Sequence, residues 1–209
     1  MAVLSGTLNV MRLMPKLCLA ASILLLGLIA SSQTPTAPKY APVYTPDGQL
    51  SLPADYRTWV FLSSGFDMSY NPNMQMDHHM FDNVFVNPEA WRAFQSTGKW
   101  PDKTTFVLEL RRAEAKGSIN QQGSFQAEAM GMEVHVKDES RFKSKWAFFG
   151  FPGKDTKAKM IPLKEDCYSC HAEHGAVDTT FVQFYPTLKP IAQQKGTLAA
   201  TYRQAESKR

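Results

Sequence analysis

Cys167-Tyr168-Ser169-Cys170-His171 is the stretch of this 209-residue chain whose residue types and spacing are most specific for chemistry. Two thiols three positions apart can add across the two vinyl groups of one haem, while the adjoining imidazole reaches the iron. The motif therefore predicts one covalent haem c, held through Cys167 and Cys170, with His171 as the proximal iron ligand. The competing readings of a C-x-x-C pair are a disulfide or half of a zinc site. Zinc would require two further Cys or His ligands at ordered spacing, and no second C-x-x-C occurs.

The N-terminus points to a compartment in which such attachment takes place. Arg12 and Lys16 form a short basic region, residues 17–30 are an apolar run around Leu24-Leu25-Leu26, and Ala30-Ser31-Ser32 offers small residues for cleavage. This is the layout of a secretory signal, which gives a signal peptide over 1–32 and an exported, periplasmic protein. The alternative is an uncleaved N-terminus that anchors the chain in the inner membrane, since the run is leucine-rich. Cys18 lies in the apolar run, so both remaining cysteines belong to the haem motif.

Without the leader, about 175 residues remain, enough for one domain with a full core. A net charge of +4 is mild, and part of it sits in the leader and the tail, so it makes no case for nucleic acid. The proline-bearing stretch 33–48 reads as a flexible linker, 49–195 as the haem domain and 196–209 as a polar tail.

Within the domain, residues 53–62 are predicted as a short helix with Tyr56, Trp59, Val60 and Ser63 on one face, and 65–80 as irregular. Residues 81–86 alternate like a strand. Asn87-Pro88-Glu89 then opens a helix, with Asn as cap, Pro at the first helical position and Gly98 near its end. Strands are predicted over 104–111, 124–136 and 143–151, a lysine-rich loop over 152–164, and an interrupted helix over 179–191. In the 104–111 strand, alternation puts Phe106 and Leu108 on one face with Val107 and Glu109 on the other. This order is that of an α+β fold, a mostly antiparallel sheet with flanking helices and a C-terminal helix carrying the haem motif. The last methionine, Met160, precedes the motif, so no methionine follows it to close the iron's sixth position as in small helical electron carriers.

In order and spacing, the residues resemble the cytochrome P-460 family and its relative cytochrome c′-beta over about 52–188. The resemblance is carried by Leu-Pro-x-x-Tyr-Arg-x-Trp-Val at 52–60, Pro-Glu-x-Trp at 88–91, Thr-Gly-x-Trp at 97–100 and the Glu109-Leu110 strand end. It continues through Gly-x-Glu-x-x-Val-Lys-Asp at 131–138, Lys-Trp-Ala-Phe-Phe at 145–149, the haem motif, and Phe-x-x-Phe-Tyr-Pro-x-Leu at 181–188. The resemblance implies a homodimer and a pentacoordinate iron with an open distal side. The partners expected are a small gaseous or nitrogenous ligand and a redox partner protein. The lysine that crosslinks to the haem in true P-460 enzymes would fall at Leu108, so that bond is absent. Glu133 matches the carboxylate used for proton handling, and Asp82 stands where those members carry arginine.

An apolar distal wall of Leu108, Phe106 and Phe85 follows, suited to NO and CO and unfavourable to water. Burial near the iron would raise the Glu133 pKa and fit it to proton transfer. Trp146, Phe148 and Phe149 are read as haem-side or core packing, His78, His79 and His135 as surface residues, and His174 as proximal. The function so defined is binding or turnover of nitric oxide or a related nitrogen species. The alternatives are a hydroxylamine- or NO-oxidising enzyme, or a six-coordinate electron carrier ligated by Met130, Met132 or His79.

Overall fold

The computed structural model describes residues 38–69 and 77–208. The chain divides into two units, 1–37 and 38–209, and the signal-peptide expectation lies outside the described residues. In the second unit the strands are β1 (Leu50–Ser51), β2 (Val60–Phe66), β3 (Met80–Val86), β4 (Thr105–Glu114), β5 (Phe125–Lys137), β6 (Trp146–Pro152) and β7 (Lys157–Ala158). The helices are α1 (Pro88–Thr97), α2 (Asp166–His174), α3 (Lys189–Gln194) and α4 (Ala200–Glu206). The α+β prediction holds. Strands β2 to β6 form one antiparallel five-stranded sheet in sequential order, and β1 pairs with β7.

The sheet carries a core on each face, as period-2 side-chain alternation requires. On one face Phe106 and Trp146 pack with Phe94 of α1, Trp100, Tyr185, Leu188 and Tyr202 of α4. On the other, Val107, Val134, Val136, Phe149 and Phe151 pack with Leu50, Tyr56 and Trp59. The predicted alternation of β4 is therefore correct. The helix α1 also starts and stops where expected, with Gly98 closing it at φ +69°. Asn87 holds the cap position, but its side-chain oxygen accepts from the Thr105 backbone N–H at 2.8 Å and ties α1 to β4.

Four expectations fail. The predicted helix over 53–62 is a single 3-10 turn (Tyr56–Thr58) followed by β2, because Tyr56 and Trp59 dive separately into one core rather than forming a helical face. The second half of the supposed linker packs instead: Tyr40 meets Trp59 edge-on at 5.9 Å, and Tyr44 lies against Phe142 and Phe149. The tail from 196 forms α4, whose Tyr202 is buried in the core and which lies against α2. Residues 179–191 hold a 3-10 turn (Val182–Phe184) and the start of α3 rather than one broken helix.

Candidate haem site

Sheet register lays out the site in rows. On the face shared with Phe106, the first row is Val86, Phe106, His135 and Phe148. The next is Val84, Leu108, Glu133 and Gly150, and the third is Asp82, Leu110 and Gly131. Helices pack against the first row, although its Phe106, His135 and Phe148 still edge the cavity. Beyond it the sheet face is left open as the floor of a cavity of about 410 Å³, within the range of small-molecule and cofactor sites. Leu108, Phe106, Glu133 and Asp82 line it, with Met68 and Met80 contributed by the β2–β3 end. His171, Phe181 and Tyr185 line it from the helical side.

The motif helix α2 is fastened to the sheet by its own variable residue. The Tyr168 hydroxyl donates to the Ile161 carbonyl at 2.9 Å and accepts from the Phe148 N–H at 3.4 Å, and its ring meets Phe148 edge-on. This seats His171 between Phe181 at 4.1 Å, Phe148 at 4.6 Å and His135 at 5.0 Å, centroid to centroid. His171 Nδ1–H donates to the Thr179 carbonyl at 2.7 Å, which fixes the tautomer and leaves Nε2 with its lone pair. Burial lowers its pKa, so the ring is neutral and fit to ligate.

Cys167 and Cys170 are half-buried and not joined to each other. Burial raises both thiol pKa values, and the Glu133 carboxylate adds to the effect at Cys167, which places Glu133 near the attachment thiols. Free thiols, an imidazole with Nε2 open and a largely apolar cavity fit a haem. Cys167 and Cys170 would hold it covalently, and His171 would ligate its iron.

Two carboxylates share the cavity. Asp82 is pushed up to about 6, by burial first and then by the charges of Glu133 and Asp67. Glu133 is raised by burial. Among the described lining residues there is no lysine or arginine to offset them. Arg112, two residues beyond Leu110 on β4, is engaged with Glu128 and Glu114.

Leu108, Phe106 and Glu133 line this one cavity. Phe85 does not: it pairs with Val107 in register, faces away from the cavity and packs edge-on against Tyr56 and Phe61. His135, read as a surface residue, is 8% exposed, stacks on Phe148 at 3.9 Å and has a buried Nε2 without a hydrogen-bond partner. Burial first, and then repulsion against protonating both it and neighbouring His171, lowers its pKa and keeps it neutral. Spacing carried the signal, since His135 lies two residues from Glu133 on one strand.

Phe148 and Trp146 lie on the cavity's side of the sheet and Phe149 on the other. Of the sixth-ligand candidates, Met132 packs into the opposite core, Met130 is exposed, and His79 is exposed with Nδ1 against Asp67. His78 and His174 are exposed and outside the cavity lining. The methionines that do line it, Met68 and Met80, were passed over because they fall beside an irregular stretch.

The fold and site are those of an α+β protein with a cavity between one sheet face and His171 of a C-x-x-C-H helix. The sequence profile of the Cytochrome P460 family matches residues 53–182, and the chain belongs to that family. It is a c-type haem protein of a family related to nitric oxide and hydroxylamine chemistry. Comparison with curated proteins gives no match.

Proposed function

We propose that this chain is an exported c-type haem protein whose iron keeps one position open for nitric oxide or a related small nitrogen species. One observation carries the reading: the same sheet face offers Phe106, Leu108 and Leu110 as an apolar floor and Asp82 and Glu133 as the ionisable groups beside it. When bound, haem supplies an iron that takes a diatomic ligand and exchanges electrons. The chain's own residues do the rest. Tyr168 and Thr179 hold His171 in place, the apolar floor disfavours water, and Leu108 leaves no lysine to bond the haem ring. No described helix is long and apolar enough to cross a membrane.

A second reading, oxidation of hydroxylamine or NO, draws on the carboxylate pair. Groups raised toward neutrality accept and release protons at working pH, and Asp82 at about 6 joins Glu133 in that capacity. Titration of the reduced holoprotein with NO and CO, followed by an assay for hydroxylamine-dependent reduction of an artificial acceptor, tests both. Tight stoichiometric NO and CO binding without turnover supports the first reading, and turnover lost in Glu133→Gln supports the second. Failure to bind either gas would refute the open position. A homodimer and a redox partner protein belong to the same proposal and are tested by solution mass measurement and by reduction kinetics.

A further inference from the structure

The short segment after α2 has an unusual backbone. Asp178 and Thr179 are consecutive residues in the left-handed region, at φ +48° and +62°. Side-chain-bearing residues avoid that region, and a β-branched threonine avoids it most, so such a pair persists only where its surroundings impose it. Here the surroundings are identifiable. Lys137 Nζ, buried at the end of β5, donates to Asp178 Oδ2 at 2.6 Å and to the Trp100 carbonyl at 2.9 Å. Trp100 Nε1–H donates to Thr180 Oγ1 at 2.8 Å, and that hydroxyl donates to the Val177 carbonyl at 2.6 Å. Gln183 closes the other side, accepting from the Ala176 N–H and donating to the His174 carbonyl.

The turn also presses on the motif helix. A Cβ on Gly175 would lie 2.6 Å from the His171 carbonyl oxygen and 2.7 Å from the Thr179 carbonyl carbon, so only glycine permits this approach. The product of the arrangement is one hydrogen bond, from His171 Nδ1–H to the Thr179 carbonyl at 2.7 Å.

We propose that Lys137, acting through Asp178, is a positioning residue that holds the 175–180 turn as a clamp on His171 and so sets the basicity of the iron ligand. The proposal rests on His171 being that ligand. A strong acceptor at Nδ1 raises imidazole basicity and favours the oxidised iron, so the clamp holds the potential down. A buried lysine needs partners, and this one has its closer carboxylate, Asp178 at 2.6 Å, on the turn and a longer one, Glu139 at 3.6 Å, just past its own strand. It thereby couples the sheet to the ligand without touching the cavity.

The test uses the holoprotein with Lys137→Met, Asp178→Asn and both together. The readouts are the midpoint potential and the iron–imidazole stretching band of the reduced form. The clamp predicts a positive shift in potential and a lower stretching frequency in each single variant. The double variant should go little further, because both act through one contact. Lys137→Arg, which keeps the charge, should show a smaller shift than Lys137→Met. If Lys137→Met does not fold, Asp178→Asn carries the test alone, since Asp178 reaches the surface. Variants that lose thermal stability while potential and stretch stay at wild-type values would overturn the proposal. A His171→Gly protein with unchanged visible bands would instead overturn the ligand assignment on which it stands.

Discussion

Asp82 and Glu133 face one cavity without a neighbouring lysine or arginine in its described lining, and this fixes how the folded protein responds to pH. Asp82 titrates near 6 when folded, above its ordinary value, so the folded state holds this proton more tightly than the unfolded chain. Its contribution is most favourable below the unfolded pKa of about 3.9 and is lost as pH rises from there through about 6. We expect Asp82→Asn to be more stable than wild type at pH 7–8, by about 1 kcal/mol after solvent screening. Urea midpoints should converge near pH 4. Leu108 makes a covalent prediction: peptide mass mapping of the holoprotein should find haem on the Cys167–Cys170 peptide and none on the peptide holding Leu108. At this scale, Leu108, Phe106 and Glu133 were legible because strand parity within β4 and β5 is short-range. Phe85 was not, since its face depends on the register of β3 against β4, which no local pattern states. His135 was misjudged by residue type, although its parity with Glu133 pointed inward.

Strands β4 and β5 carry both sides of the sheet, and the face opposite the cavity has its own polar centre. Glu109, 2% exposed, accepts from the Tyr56 hydroxyl at 2.8 Å and from Arg111 at 3.1 Å, and pairs with Arg57. It fastens the 3-10 turn before β2 to the middle of the sheet. Glu109→Ala would leave the Tyr56 hydroxyl and the Arg111 charge without their carboxylate, and we expect a loss of about 3 kcal/mol, moderated because Arg57 reaches solvent and Arg111 keeps the Ala127 carbonyl. The cavity's ligand chemistry should be unaffected, which equilibrium unfolding and CO titration of the same variant can separate. Among the elements, α1 was legible because its start and stop are written in Asn87-Pro88-Glu89 and Gly98. The strand β2 was not. A register shift between Phe61 and Ser63 inserts Leu62 as an extra residue and breaks the alternation that would have announced a strand. The i, i+3 spacing of Tyr56 and Trp59 then imitated a helix.

At the scale of the molecule, the packed unit reaches beyond the haem domain that polarity alone delimits. Tyr40 and Tyr44 close one core from the N-terminal side, and Tyr202 completes the other from α4, which lies against α2. Composition reads such stretches as linker and tail, because a single buried ring among polar residues leaves no periodic signal. Tyr202→Ala should therefore cost about 3 kcal/mol, near the low end for a buried aromatic, measurable as a lower urea midpoint. We propose, for the molecule as a whole, that one helix presents His171 to the iron while the sheet face offers a carboxylate-flanked apolar floor. The visible spectrum of the reduced holoprotein tests this most directly. A broad, pentacoordinate high-spin spectrum is the result the account predicts, and a sharp low-spin spectrum, as Met68 or Met80 ligation would give, is the result that would contradict it.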